Sequence, residues 1–371
     1  MRTPQLATRS VGILAVPLLL AGVVAGVAPA AAGARARPAV RAASFSISGL
    51  LYGVAATSAR NAWAVGESYT KTSIKTLILR WNGTAWKRVP SPSPGASAGL
   101  SGVAAVSARS AWAVGDTITS TGSKTLILRW NGKVWTRVPS PALPVSSLSG
   151  VAAMSARSAW AVGDTITSIG KTLILRWNGK TWKQVSSPTP PGGAFLHGVA
   201  VASARSVWGV GGTDSGKTLT VRWNGAVWRR MPSPSPGTTN VLLGVAATSA
   251  RSAWAVGCRT CSAGGLNETL IEQWNGTAWK RVPSPAPGPG DTLTGVAAIS
   301  ASNAWAVGAT GSGPLIVHWN GSDWKRVPSP SGSSLSGVAA TSAHNAWAVG
   351  GTFTSTGTKA LILRWNGNTW K

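Results

Sequence analysis

One unit written seven times dominates the chain. The segment Gly53-Val54-Ala55-Ala56-Thr57-Ser58-Ala59-Arg60-Asn61-Ala62-Trp63-Ala64-Val65-Gly66 returns with small changes at Gly102, Gly150, Gly198, Gly244, Gly295 and Gly337, at intervals of 49, 48, 48, 46, 51 and 42 residues. Each copy runs on into a Leu-Ile-Leu-Arg-Trp-Asn-Gly-x-x-Trp stretch and, in all but the last, a Val-Pro-Ser-Pro-like tail. A unit of this size cannot bury an apolar face alone, whereas a stack of its copies can. A fixed period of this length therefore calls for an array, either a propeller or a solenoid.

Four short strands are read within a unit. In the second copy they are Leu100–Ser107, Ala111–Gly115, Thr125–Trp130 and Val134–Val138, with a turn at Ala108-Arg109-Ser110 and a variable loop from Asp116 to Lys124. Asn131-Gly132 signals a hairpin of the type in which both central residues take positive φ. Pro139 and Pro141 end the fourth strand because proline cannot donate to a ladder. A solenoid is the alternative, but its coils are shorter and seldom hold an antiparallel hairpin in every repeat. The small Gly-Val-Ala-Ala strand suits a crowded axis, and the bulky Leu, Ile and Trp suit a wider rim. The expectation is an all-β, seven-bladed β-propeller over 43–371, with four antiparallel strands per blade. The last copy stops at Trp370-Lys371, and Ser44-Phe45-Ser46-Ile47-Ser48 alternates with no other partner. That N-terminal strand is expected to close the last blade and hide its edge.

Residues 1–34 read as a secretory signal peptide. Arg2 and Arg9 precede an uncharged run from Val11 to Ala28, and small residues follow as candidate cleavage sites. An uncleaved anchor is the competing reading, because the run is close to the shortest spanning helix. Residues 35–42 form a short basic linker. The expected location is secreted or at the cell surface, with no membrane span once the signal is cleaved.

The Ala-Trp-Ala-Val-Gly, Trp-Asn-Gly-x-x-Trp and Val-Pro-Ser-Pro elements resemble the repeat proteins exported by actinobacteria. They are more distantly similar to kelch-type, Asp-box and photosystem-II-assembly-factor-like propellers. The likeness covers roughly 43–371 and implies the propeller fold. It lacks the kelch Gly-Gly doublet and the WD40 Trp-Asp signature, and its turn is one residue shorter than an Asp-box. Propellers host many activities, so the resemblance implies little about function.

Composition narrows the function classes. The chain holds 35 Lys+Arg against 8 Asp+Glu, a net charge of +27, with 3 His and 2 Cys. So few carboxylates and histidines leave little for acid–base catalysis or a metal centre, and neither cofactor nor metal is expected. The 21 Trp are three per unit. Trp81 and Trp86 share a strand face with Leu77 and Leu79, which points to packing between blades, with sugar stacking as the functional alternative.

A propeller sorts the charges by face. Arg60, Arg109, Arg157, Arg205 and Arg251 recur in the turn between strands one and two, where the sixth and seventh units have Ser302 and His344. Arg80, Arg129, Arg176, Arg222 and Arg364, and pairs such as Lys87-Arg88, are expected near the same face. Glu67, Asp116, Asp164, Asp214, Glu268 and Asp291 belong to the opposite, variable face. Of these, Glu67, Asp116 and Asp164 follow Val-Gly in three successive units; they are expected as solvated loop acids, with a paired-carboxylate site as the alternative. Cys258-x-x-Cys261, in an enlarged loop of the fifth unit, is expected to form a local disulfide in an exported chain. The reading is a non-enzymatic, monomeric binding scaffold at the cell envelope. Its partner would be an anionic polymer or polysaccharide, or another protein, and not a specific nucleic-acid sequence. The alternatives are a polysaccharide-active enzyme with its site over the axis and a multivalent lectin.

Overall fold

The computed structural model describes residues 44–261, 267–285 and 288–371. The signal segment at 1–34 and the linker at 35–42 lie outside the described residues. What is described is all β: seven blades of antiparallel strands around one axis. Five blades are separate four-stranded sheets, and a seven-stranded sheet joins the last blade to the first. No helix among the described residues is long and apolar enough to cross a membrane.

Blade two shows the plan. Its inner strand is Ser97–Ser107, its second Ser110–Thr119, its third Gly122–Trp130 and its outer strand Trp135–Arg137. The second and third strands reach further than their sequence suggests. The stretch read as a variable loop from Asp116 pairs as Asp116↔Thr125 and Thr117↔Lys124, on to Thr119↔Gly122. The β-branched Thr117, Ile118 and Thr119 favour that extended ladder.

The hairpin between third and outer strands also differs from expectation. Trp130 pairs with Trp135, leaving a four-residue loop. Only Gly132 in it has positive φ, at 99°. Asn131 keeps an ordinary backbone and uses its side chain instead, with Oδ1 accepting from Lys133 N and Val134 N, both at 2.9 Å. Asparagine serves here as an Asx cap rather than as a left-handed residue.

Glycine makes the axis possible. A Cβ on Gly53 would come within 3.2 Å of the Gly102 Cα, and one on Gly102 within 3.3 Å of the Gly150 Cα. The same crowding passes through Gly198, Gly244 and Gly295 to Gly337, whose Cβ would meet the Tyr52 carbonyl at 2.8 Å. Seven inner strands thus touch at seven glycines, and the ring is closed.

The tryptophans lock each blade to the next. Trp63 of blade one lies 4.9 Å from Trp130 and 5.1 Å, edge-on, from Trp135 of blade two. The arrangement recurs at every seam and ends with Trp347 of blade seven against Trp81 and Trp86 of blade one. Apolar clusters fill all seven seams. Each indole removes roughly 150–250 Å² from water, and each edge-on pair adds about 0.5–1.5 kcal/mol.

Closure uses both ends of the chain. The first strand, Ser44–Ser58, is the inner strand of blade one, yet its start pairs with the third strand of blade seven, Ser44↔Leu361 and Ser48↔Lys359. The C-terminus supplies the rest of that outer edge through the bridge Trp365↔Trp370 and mutual backbone bonds between Arg364 and Lys371.

Candidate functional site

Two faces and a rim carry the chemistry. On one face the turns between inner and second strands present Arg60, Arg109, Arg157, Arg205 and Arg251, all exposed. Their stems are not free. The hairpin Gly83 lies 3.3 Å, measured from a built Cβ, from the Arg60 Cβ, and Gly132, Gly179, Gly225 and Gly276 lie as close to the other four arginines. The aliphatic stems rest on the glycine turns while the guanidinium groups stay in water. In blades six and seven Ser302 and His344 take those places, and Asp323 enters the hairpin of blade six. The basic feature is therefore an arc over five blades.

The second set of arginines serves structure. The Arg80 guanidinium sits 5.1 Å from the Trp63 ring and 5.4 Å from the Trp130 ring, and it donates to the Ala108 carbonyl at 3.3 Å. Arg129, Arg176, Arg222 and Arg364 repeat the stacking. These groups clamp seams by cation–π contact and are poorly placed to hold a ligand. Blade five has Gln273 there, and blade six has His318, 4.2 Å from the Trp305 ring.

The Lys87-Arg88 pairs differ from expectation. They lie on exposed outer strands, so they form a belt round the rim. Arg88 reaches away from the arginine arc to donate to Ser68 Oγ at 3.1 Å, near the other end of the blade.

The acids Glu67, Asp116 and Asp164 are not solvated loop residues. They lie within second strands, Asn61–Tyr69, Ser110–Thr119 and Ser158–Thr165, on the strand face that carries the seam Trp. Each points into the seam with the following blade, at the end away from the arginine arc. Glu67 is 7% exposed, and its Oε1 accepts from both Tyr52 and Tyr69 hydroxyls at 2.7 Å. Burial, reinforced by the Glu67 carboxylate, raises both tyrosine pKa values. Asp116 accepts from Ser123 Oγ at 2.9 Å, and Asp164 from Ser147 Oγ at 3.2 Å. Burial raises both carboxyl pKa values. The charge of Glu67 adds to the effect at Asp116, and those of Asp214 and Asp116 add to it at Asp164. The four carboxylates thus feel one another along an arc. Among the described residues, the side-chain donors to these three acids are the Tyr52, Tyr69, Ser123 and Ser147 hydroxyls.

The remaining sequence candidates fall elsewhere. Cys258 and Cys261 are disulfide-bonded, with their Cα atoms 5.7 Å apart. Arg259 and Glu268 form an ion pair beside them, and Cys261 N donates to the Thr239 carbonyl at 2.9 Å. Among the described residues no three His, Cys, Asp or Glu come together as metal ligands. The indoles are buried, only Trp365 more than 8% exposed, which withdraws them as sugar platforms.

A further buried acid lies in blade five. Glu272 is fully buried in the seam between blades four and five, neither carboxyl oxygen has a partner, and burial lifts its pKa to about 8. The signal was present in the repeat: the other six copies have Leu79, Leu128, Leu175, Val221, Val317 and Leu363 at that position.

No protein-family model and no curated protein matches the chain. Solved structures do. A structure of YCF48 bound to D1 peptide superposes with a TM-score of 0.57 at 16% identity, covering 90% of this chain and 96% of that one. YCF48 from Cyanidioschyzon merolae gives 0.55 at 16%, covering 88% and 99%. A structure of U3-55K gives 0.59 at 12%, covering 86% and 95%. Likeness at these identities shows the propeller fold.

Proposed function

We propose that this chain is an exported, non-enzymatic binding scaffold of the cell envelope that attaches to anionic polymers through its arginine arc. The observation that carries the reading is the arc itself. Five guanidinium groups at equivalent turns stand in water on stems pinned over glycine, while the strand acids lie at the opposite end of the blades. A polyanion is drawn by such an arc at long range, and counterion release then makes its affinity fall steeply with salt. The solved propeller YCF48, seen with a peptide, lends general support to a binding role for this fold.

The test is a salt titration with two polyanion probes, mixed-sequence duplex DNA and polyglycerol phosphate. In the duplex series the triple variant Arg109→Glu, Arg157→Glu, Arg205→Glu is expected to reduce the slope of log K against log salt by roughly 3, close to one unit per lost phosphate contact. The teichoic-like polymer should follow the same trend. An unchanged slope would assign the attraction to the rim belt or to net charge alone, and the arc would lose its role.

A further inference from the structure

Thr260 holds a backbone conformation that its own side chain opposes. Among the described residues it is the one non-glycine with positive φ, at 55°. For a β-branched residue that region is an outlier, and it persists only where the surrounding structure imposes it. Thr260 lies inside the Cys258–Cys261 disulfide, whose sequence separation is 3 and whose Cα atoms are 5.7 Å apart. The left-handed step turns Cys261 back toward the end of the second strand of blade five, Ser252–Arg259, where Cys258 sits. The linker from blade four presses on the same turn, since a Cβ built on Gly237 would stand 2.7 Å from Thr260 N.

As a staple this crosslink does little. It joins a strand end to the turn that follows it, not one blade to another, and so short a loop removes little freedom from the unfolded chain. The strand ends are already tied by the pairing Arg259↔Glu268 and by the ion pair between the same residues. The linker is fixed without it too: Gly237 N donates to Asn240 Oδ1, and Asn240 Nδ2 to the Gly237 carbonyl, both at 2.8 Å. The other blades carry Glu67, Asp116, Asp164, Gly212, Ala309 and Gly351 in place of Cys258 and form the same ladder. The two sulfurs are also unequal in access. Cys258 is 4% exposed, on the strand face that carries Trp254 into the seam with blade six, whereas Cys261 is half-buried.

We propose that Cys258–Cys261 is a thiol–disulfide exchange site for external thiols, with the left-handed backbone of Thr260 setting how readily it is reduced. The co-reactant's thiolate bonds to Cys261 Sγ as the Cys258–Cys261 bond breaks, and the electron pair of that bond leaves on Cys258 Sγ. A second thiolate attacks the co-reactant's sulfur in the mixed disulfide and releases Cys261 as a thiolate. Both protein thiolates take up the protons that the co-reactants gave to water. Two external thiols are thereby oxidised to one disulfide, and the protein's disulfide is reduced to two thiols. Opening the ring lets Thr260 return to the negative φ that residues with a Cβ favour. The site depends on neither the arginine arc nor polyanion attachment.

The test equilibrates the protein with mixtures of reduced and oxidised glutathione, then alkylates free thiols and counts them by intact mass. Reversible reduction is expected while the fluorescence of the buried indoles stays that of the folded ring. Thr260→Gly should hold the disulfide about tenfold more firmly, a midpoint ~30 mV more negative, because glycine takes positive φ as readily as negative. Thr260→Asn, which visits the same region without glycine's added freedom, should move the midpoint in the same direction. Of the single-cysteine variants, Cys258→Ala should capture oxidised glutathione as a mixed disulfide at least about tenfold faster than Cys261→Ala, because access governs the rate. A disulfide that glutathione leaves intact until the fold itself is lost would overturn the proposal. So would a midpoint that neither Thr260 variant moves, or capture at Cys258 as fast as at Cys261. The measurement on the parent protein needs no variant, so a variant that folds poorly leaves the proposal open to refutation.

Discussion

Replacing Glu272 by leucine raises the stability of the propeller, and raises it more at pH 8 than at pH 5. Glu272 stands where six blades carry Leu or Val, at 0% exposure and with both carboxyl oxygens unpartnered. Burial moves its pKa from the ordinary 4.5 to about 8. The folded chain therefore keeps a proton that the unfolded chain has lost throughout the window between those values. Stability must fall as pH rises through that window and level off above it. At about 1.4 kcal/mol per pH unit, the full loss amounts to roughly 4–5 kcal/mol. The same seam receives Thr220, where the other copies have Ile78, Ile127, Ile174, Ile271, Ile316 and Ile362. Thr220 turns its hydroxyl to the Met231 carbonyl at 2.8 Å, so it gives Glu272 nothing. Arg222 of that seam is stacked on Trp208 and Trp274, and Arg281, opposite Glu272 on the outer strand, is exposed. Urea midpoints at pH 5, 7 and 8.5 decide the matter. Parent and variant curves that stay parallel across this range would show that Glu272 holds no excess proton in the folded state.

Replacing Trp112 by alanine costs about 3–5 kcal/mol, the range for losing a buried aromatic. Trp112 is fully buried and stands 4.9 Å from Trp177 and 5.1 Å from Trp182 of the next blade, with the Arg129 guanidinium 5.1 Å from its ring. Its loss leaves two indoles facing a void and strips the arginine of its better partner. Val134 is the control: 54% exposed on a hairpin, it should change stability by no more than about 0.5 kcal/mol on conversion to alanine. If denaturant titration gives the two variants similar losses, the seams are not what holds the ring together.

The fold was legible because repetition turns weak signals into a strong one. Seven copies of Trp-Asn-Gly-x-x-Trp place every hairpin, and the alternating Ser44–Ser48 with no partner foretold how the ring closes. The misreadings share a physical cause. Asp116 to Thr119 looked like loop because it differs between copies, but β-branched residues make ladder whether or not they repeat. Asn131 looked like a left-handed turn residue, yet its carbonyl oxygen caps two backbone N–H groups and relieves the backbone of that strain. Arg80 looked like surface charge; only the neighbouring blade reveals that its guanidinium lies between two indoles. Glu67 could not be placed without knowing that both tyrosines converge on it. The repeat, its strand order and the turns that carry the arginines were in the sequence, whereas contacts between blades arise only when the ring is shut.

The chain that begins as the inner strand of blade one also finishes the outer edge of blade seven. Ser44 finds Leu361 only after nearly the whole polypeptide has been synthesised. The same closure brings Trp347 onto Trp81 and Trp86. Pairing the two ends costs little more entropy for each added residue, because closure cost grows only with the logarithm of length. It is also the pairing of greatest sequence separation in the ring, and contacts of that kind slow folding. Blades can assemble on their neighbours as they emerge, but the strand that starts at Ser44 has its partner in blade seven, and the ring is shut only when the two meet.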